Sequence, residues 1–313
     1  MGGKEKLAPY VCQVLPPRFS PYIEPYGGGG AVLLGLPRDP GRLDIYNDYD
    51  GDLVNLMACV RDRPLALLKE LKFLPILARG EFELLKQILR HDEILSQALE
   101  GEREIARAEF PPEQAAELLE ILREKAEWMD VRRAAAYYLT SRYSFSGTRS
   151  SFGVRPVRLD RFFGQIQEAS RRLQGVVTEN KDGVDLIRER DEPGALFYCD
   201  PPYYQAERCY QARFARRDHA RLHHALRQCQ GCAVVSYNDC GYIRSLYRDF
   251  YILAFRRQEP LAQREGAQYG ELILTNYDPR PFLRRQVSLF DSPAGDSGME
   301  LVHIPESPLK IIA

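Results

Sequence analysis

No apolar run in the sequence reaches the roughly 20 residues that a membrane-spanning helix needs. A secretory leader is not expected either, because Met1-Gly2-Gly3-Lys4 leads into a short mixed stretch. The seven cysteines are odd in number and scattered, which excludes reading a disulfide framework and fits a reducing cytosol. Cys229 and Cys232 form one Cys-x-x-Cys without a second pair at zinc-ligand spacing, so they read as structural cysteines near a strand. His219, His223 and His224 have no carboxylate or cysteine at ligand spacing and read as helix-surface histidines. No metal is expected. There is no Gly-Lys-Ser/Thr phosphate loop and no clean Gly-x-Gly-x-x-Gly. The net charge of −1 does not by itself advertise nucleic-acid binding.

The distribution of charge says more. Between Asp92 and Asp130 there are 12 acidic and 4 basic residues, against 12 basic and 6 acidic between Arg132 and Arg190. The first stretch repels phosphate and the second attracts it. At 313 residues and 44% hydrophobic content, the chain is long enough for one large or two modest domains.

The most informative stretch is Ala195-Leu-Phe-Tyr-Cys-Asp-Pro-Pro-Tyr-Tyr204. Ala195 to Cys199 read as a buried strand, stopped at Asp200 because Pro201 and Pro202 cannot donate to a ladder. A stiff turn then presents one carboxylate and one aromatic ring at the carboxyl end of a strand, where open α/β sheets bind ligands. Asp200 and the Pro201 carbonyl can accept hydrogen bonds from a planar amine while Tyr203 stacks on its ring, which is how a base taken out of a duplex is gripped. An ordinary strand-to-loop exit is the alternative.

Upstream, Leu7 to Leu15 read as a short helix. Tyr22 to Tyr26 form a strand candidate, followed by Gly27–Gly30 and a helix from Ala31, the strand–glycine–helix entry of a nucleotide-type site. A second strand, Leu43 to Tyr46, ends at Asn47-Asp48. Asp48 stands where ribose hydroxyls are commonly taken, or else the stretch Asp48 to Asp52 caps the next helix, and Asp50 or Asp52 can cap it while Asp48 binds. Residues 61–142 read as helical, interrupted at Pro111-Pro112, with Pro112 a helix start and Trp128 a core residue. Tyr143 to Gly153 mix small polar residues, arginine and aromatics, and either read DNA or form an ordinary loop. Arg142, Arg149, Ser151 and Arg155 are the candidate DNA contacts. A helix over 161–173 and strands at 176–178, 233–237, 247–255 and 271–276 complete the pattern. Asn180 and Asp182 follow the first of these strands as a polar pair beside the cleft.

Together, Asp200-Pro201-Pro202-Tyr203, the Glu24-Pro25-Tyr26-Gly27 to Gly30 stretch and the Asn47-Asp48 pair resemble the Dam-like (D12 class) family of S-adenosylmethionine-dependent DNA adenine-N6 methyltransferases. Gly2-Gly3-Lys4, Phe214 with Asp218-His219, Ser236 to Asp239, and Glu271-Leu272 through Tyr277 agree with it. The resemblance covers residues 1–60 and about 176–280. It implies a Rossmann-like α/β methyltransferase sheet of about seven strands, formed by residues 1–60 and 176–285. A largely helical insert, 61–175, serves as target-recognition region, and 286–313 form a C-terminal tail. It further implies that Lys4 meets the methionine end of S-adenosylmethionine, that Glu24, Gly27 and Gly29 line the same pocket, that Asp48 takes the ribose and that Asp182 lies near the cofactor's adenine. Asp200, also beside the cofactor, and Pro201 orient the target amine on a turn stiffened by Pro202, and Tyr203 stacks on the flipped base.

Two departures stand out. The aromatic residue that the family usually carries before Gly-Gly-Lys is not matched, and its GATC-reading hairpin is not recognisable in residues 143–158. The resemblance therefore implies a site-specific, adenine-directed enzyme on double-stranded DNA, of bacterial or phage cytoplasm and of a kind found in restriction-modification, as a monomer or weak dimer. RNA adenine methylation and a non-catalytic, clamp-associated relative remain alternatives. Gln286-Val-Ser-Leu-Phe290 resembles the peptide by which bacterial DNA-metabolism proteins dock on the sliding clamp, with Leu289 and Phe290 filling an apolar groove and Gln286 bonding at its edge. A tail packed on its own domain is the alternative.

Overall fold

A computed structural model describes residues 7–73, 79–90, 107–144, 152–153, 159–205, 214–258, 268–283, 298–307 and 309–310. Helix α1 (Ala8–Val14) carries a proline in its first turn, where no N–H partner is lost. Strand β1 (Tyr22–Glu24) is wholly buried and leads through the glycine loop to α2 (Ala31–Gly35). After β2 (Asp44–Asn47), Asp50 caps α3 (Gly51–Asp62) by accepting from the Asp52 N–H. Helices α4 (Pro64–Phe73), α5 (Arg79–Arg90), α6 (Pro112–Trp128), α7 (Val131–Tyr143) and α8 (Leu159–Leu173) follow, α6 opening at the proline named from the sequence. The chain then runs through β3 (Val177–Glu179), α9 (Gly183–Glu189), β4 (Leu196–Cys199), α10 (Arg216–Gln228), β5 (Cys232–Asn238) and α11 (Gly241–Leu246). It closes with β6 (Tyr251–Gln258), β7 (Gln268–Thr275), α12 (Arg280–Leu283) and β8 (Glu300–His303).

The chain divides into two compact units, Met1–Tyr49 with Gly175–Ala313, and Asp50–Gln174. The division falls after Tyr49, ahead of residue 60, because the buried face of α3, Val54 to Val60, packs inside the helical unit. That unit is built on α7, whose Ala134, Ala135, Ala136 and Leu139 are fully buried. Arg133 of α7 pairs with Asp52 of α3, and Asp130 caps α7 by accepting from the Arg133 N–H. Trp128 lies where side chains are outside the described set.

In the first unit, the described strands form one sheet in the order β3-β2-β1-β4-β5-β7-β6-β8. β3, β2, β1, β4 and β5 are parallel, and β7 runs antiparallel between β5 and β6. One face carries Ile23, Ile45, Phe197, Cys199, Val235 and Leu272 against buried residues of α9, α10 and α11. The other meets α1, where Tyr10 stacks on Phe255 at 4.1 Å and the Tyr277 hydroxyl donates to the Val14 carbonyl. The expected Rossmann-like α/β sheet is therefore present. Its strand order reverses between β1 and β4, so a crevice for a ligand opens at their carboxyl ends.

Eight strands are described, in keeping with the expected sheet of about seven, and one of them, β8, lies in the stretch read as tail. It is a short edge strand with only alternate residues partly covered, which leaves little apolar signal to read. Leu309 packs against the core beyond it and Lys310 bonds to the Gly231 carbonyl, so the described residues from 298 to 310 lie against the sheet. The run Tyr247 to Phe255, read as one strand, divides into a buried turn and β6, because Tyr247 and Phe250 bury without joining the ladder.

Asp182 shows how α9 is set. Its carboxylate accepts from the Val184 and Asp185 N–H groups and pairs with Arg221 at 2.8 Å. Partial burial pushes this carboxyl up, but Arg221 and the two N–H groups outweigh it and hold the group below its usual range. A depressed pKa contributes stability above the unfolded-state value that is lost as pH falls through the folded one. Asp182→Ala is expected to cost about 1 kcal/mol near neutral pH. The gap from wild type should close below the ordinary carboxylate range. Urea unfolding at both ends of that range checks it, and a gap that survives in acid would rule the carboxylate out as its source.

Candidate active site

Three parallel strands deliver the glycine loop and its supports to one edge of the sheet. Asn47, at the end of β2, donates to the Pro25 carbonyl beyond β1 at 2.7 Å and to the Lys181 carbonyl beyond β3 at 3.1 Å, and accepts from the Lys181 N–H. One buried amide thus ties together the ends of three strands. The loop is pinned to the same place. Gly27 N–H donates to the Asn47 carbonyl at 2.7 Å, Gly28 N–H to the Asp48 carboxylate at 2.9 Å, and the Tyr46 hydroxyl to the Gly28 carbonyl at 2.7 Å. A Cβ on Gly27 would sit 2.2 Å from the Tyr46 ring, so only glycine fits there, whereas the space beside Gly28 (φ +51°) is open.

The sequence-predicted residues divide into two groups here. Glu24 is 1% exposed, and its carboxylate accepts from the Leu33 N–H in α2 and from the Tyr22 hydroxyl, each at 2.7 Å. It anchors α2 behind the loop. Asp48 is half-buried against Gly28, and Gly29 is exposed. Asp182 is occupied by α9 and Arg221, and Asn180 donates to the Asp48 and Tyr49 carbonyls. Asp50, not Asp48, caps α3. In the helical unit, Arg142 lies over the Tyr138 ring at 5.5 Å. Lys4, Arg149, Ser151, Arg155, Gln286, Leu289 and Phe290 lie outside the described residues.

The turn after β4 is held from the neighbouring strands. Register places Cys199 opposite Val235, so Asp200 follows beside Ser236, whose hydroxyl donates to the Asp200 carboxylate at 2.8 Å. With that hydrogen committed, the Tyr198 hydroxyl, 3.1 Å from Ser236, is the donor to it. Burial first, then the charge of Asp200, push the Tyr198 phenol well up, so it keeps its proton. Pro201 and Pro202 are buried. The Asn238 amide donates to the Tyr204 carbonyl at 3.2 Å, and the Tyr203 hydroxyl donates to Glu271 at 2.6 Å.

An aromatic cluster backs this turn. Tyr204 stacks on Tyr242 at 4.3 Å and meets His219 edge-on, and Phe214 packs against both His219 and Tyr26. His219 is fully buried and bonded to the Tyr237 hydroxyl at 2.7 Å, which corrects its reading as a helix-surface histidine. The polar run of α10 hid the fact that His219 lies on the same helix face as Leu222 and Leu226, which are also fully buried. His223 is partly buried and paired with Asp249. Among the described residues no group of three His, Cys, Asp or Glu could hold a metal. Those cysteines are free. A groove of about 430 Å³ between α10 and α11, lined by Arg216, His223, Arg227 and Arg248 among others, contains none of the predicted site residues.

Ser236, Asn238, Asn47 and Glu271 were the supports that sequence reasoning left without roles. A serine and an asparagine two apart at a strand end, and a glutamate opening an apolar strand, were the available signals.

The residues present fit S-adenosylmethionine: an open glycine loop at the end of β1, a carboxylate beside it at Asp48, and Asp200 at the end of the adjacent strand. A family model described as D12 class N6 adenine-specific DNA methyltransferase matches residues 1–261. The Type II methyltransferase M1.LlaDCHI of Lactococcus lactis subsp. cremoris is 24% identical over 289 residues, covering 88% of this chain and 93% of that protein. The rRNA methyltransferase aviRa of Streptomyces viridochromogenes aligns over 88% of this chain and 86% of its own at 12% identity, with a TM-score of 0.32.

Gly27→Ala must displace the Tyr46 ring or the loop. Calorimetry with S-adenosylmethionine is expected to show affinity lowered about tenfold or more, in line with a misplaced binding element. Wild-type affinity in a folded Gly27→Ala variant would remove this loop from the cofactor site.

Proposed function

The chain belongs to the D12 class N6 adenine-specific DNA methyltransferase family, and from that premise we propose that Asp200, Pro201, Pro202 and Tyr203 hold the target base of double-stranded DNA. S-adenosylmethionine supplies the methyl group from its sulfonium. The work of this chain is to hold the acceptor. The exocyclic nitrogen of adenine is a weak nucleophile, since its lone pair is drawn into the ring. Asp200 accepts one amine hydrogen and the Pro201 carbonyl the other, which turns the lone pair out of the ring plane towards the methyl donor. Tyr203 covers one face of the flipped base and keeps water from it. Alignment of this kind is worth roughly 7 kcal/mol or more in favourable cases.

The observation that carries the reading is the Ser236–Asp200 hydrogen bond of 2.8 Å. It fixes the carboxylate at the head of a turn that Asn238 and Glu271 hold further along. Gly27, Gly29 and Asp48 serve the cofactor, with Lys4 at its methionine end, while Glu24 and Asp182 act from behind as anchors of α2 and α9. Arg142, Arg149, Ser151 and Arg155 contact the DNA, supported by the basic balance of that stretch. A place in restriction-modification, in a bacterial or phage cytoplasm, is in keeping with the Type II methyltransferase that the chain resembles. No helix among the described residues is long and apolar enough to cross a membrane.

Asp200→Ala is expected to abolish transfer of labelled methyl from S-adenosylmethionine to unmethylated genomic DNA while leaving the fold intact. Sequencing sensitive to N6-methyladenine then gives the target site. Transfer that persists in the variant would move the catalytic assignment elsewhere. For the segment Gln286 to Phe290, a labelled peptide should bind purified bacterial sliding clamp and lose binding when Leu289 and Phe290 become alanine. Equal binding by both peptides would rule out clamp docking.

A further inference from the structure

Glu271 has no part in the chemistry just described, yet it is 2% exposed, on β7, in an otherwise apolar run. Burying a carboxylate is costly unless it is hydrogen-bonded. Its carboxylate accepts from the Tyr203 hydroxyl at 2.6 Å, the short distance of a bond to a charged acceptor. Two registers put it there. β4 and β5 place Ser236 beside Asp200, and β5 and β7 place Asn238 opposite Glu271. Asn238 in turn holds the Tyr204 carbonyl. Residues 203 and 204 are therefore gripped by two residues facing each other across neighbouring strands. The Tyr203 ring packs against the core, with the Tyr237 ring centroid 6.3 Å away and its plane tilted by 40°.

A phenol hinged at Cβ can rotate about two bonds. Tethering its far end to a buried group removes that freedom. We infer that Glu271 is a positioning residue for methyl transfer: through the Tyr203 hydroxyl, its carboxylate fixes the ring plane on which the target adenine stacks. This inference rests on the reading of Tyr203 as the base platform. Burial first, and then Asp200 and Glu271, push the phenol well above its ordinary range, so Tyr203 remains the donor at working pH.

The test is a cycle of variants in the full chain: Glu271→Gln, Glu271→Leu, Tyr203→Phe, Tyr203→Ala, and Glu271→Leu with Tyr203→Phe. Three readings are made: the single-turnover rate on unmethylated genomic DNA, the S-adenosylmethionine dissociation constant, and the fluorescence of a duplex carrying 2-aminopurine at the mapped target. Glu271→Gln keeps an acceptor and should stay within about threefold of wild type. Glu271→Leu and Tyr203→Phe should each slow transfer about ten- to hundredfold, the cost of misplacing a reacting partner. Each should also change the 2-aminopurine signal, with cofactor affinity unchanged. The double variant should be no slower than the slower single one, because both changes remove one contact.

Multiplying effects in the double variant, equal losses for Gln and Leu, or a wild-type rate for Glu271→Leu would each overturn the proposal. A wild-type rate for Tyr203→Ala would instead overturn the platform reading beneath it. If Glu271→Leu does not fold, Glu271→Gln and Tyr203→Phe still decide. Near-wild-type transfer in the first with loss in the second supports the proposal, and the reverse order overturns it.

Discussion

The registers of β4 on β5 and of β5 on β7 are the constraint from which the rest of the site follows. Cys199 opposite Val235 brings Ser236 to Asp200, and Asn238 opposite Glu271 brings both residues to the turn that follows. A shift of one residue in either ladder would turn Ser236 or Glu271 to the other face of the sheet. The apolar residues between them resist that shift. Val235, Tyr237, Leu272 and Leu274 bury on the α9–α10–α11 side, and moving them would expose the core. Hydrophobic packing on one face therefore sets the geometry of the polar groups on the other.

The opposite half of the site obeys the same logic. The glycine loop lies against β2, because Tyr46 occupies the space a side chain on Gly27 would need, and because Asn47 and Asp48 satisfy backbone groups that the ends of three strands leave over. Glu24 secures α2 from beneath. Several residues that a motif reading assigns to a ligand thus hold the walls of its crevice. The two roles are compatible for Asp48, which is only half-buried. Glu24, at 1% exposure, accepts from the Leu33 N–H and the Tyr22 hydroxyl and so holds α2 in place.

Aromatic packing joins the two halves. Tyr26 follows β1, Tyr204 follows β4, and Phe214, His219 and Tyr242 lie between or behind them, each meeting the next within 6.0 Å between ring centres. Such ring pairs gain from edge-to-face and offset contact beyond their buried area. They keep the two strand ends in a fixed relation, with His219 holding Tyr237 from within.

Local chemistry was enough to determine much of this protein from its sequence. The prolines at 201 and 202 end a strand wherever they stand, four glycines after a short strand make a loop, and Asp50 and Pro112 open helices by rules confined to one turn. The apolar runs marked the strands, and the motif order carried the resemblance to the family, which implied the Rossmann-like sheet. The sequence did not disclose β8, a short edge strand with alternate cover, or the burial of His219 inside a polar helix. Nor did it disclose that Ser236 serves Asp200 and Glu271 serves Tyr203, over separations of 36 and 68 residues. Only the tertiary structure decided those partners, because strand register is set by the packing of a whole face, and no rule confined to neighbours in the chain contains it.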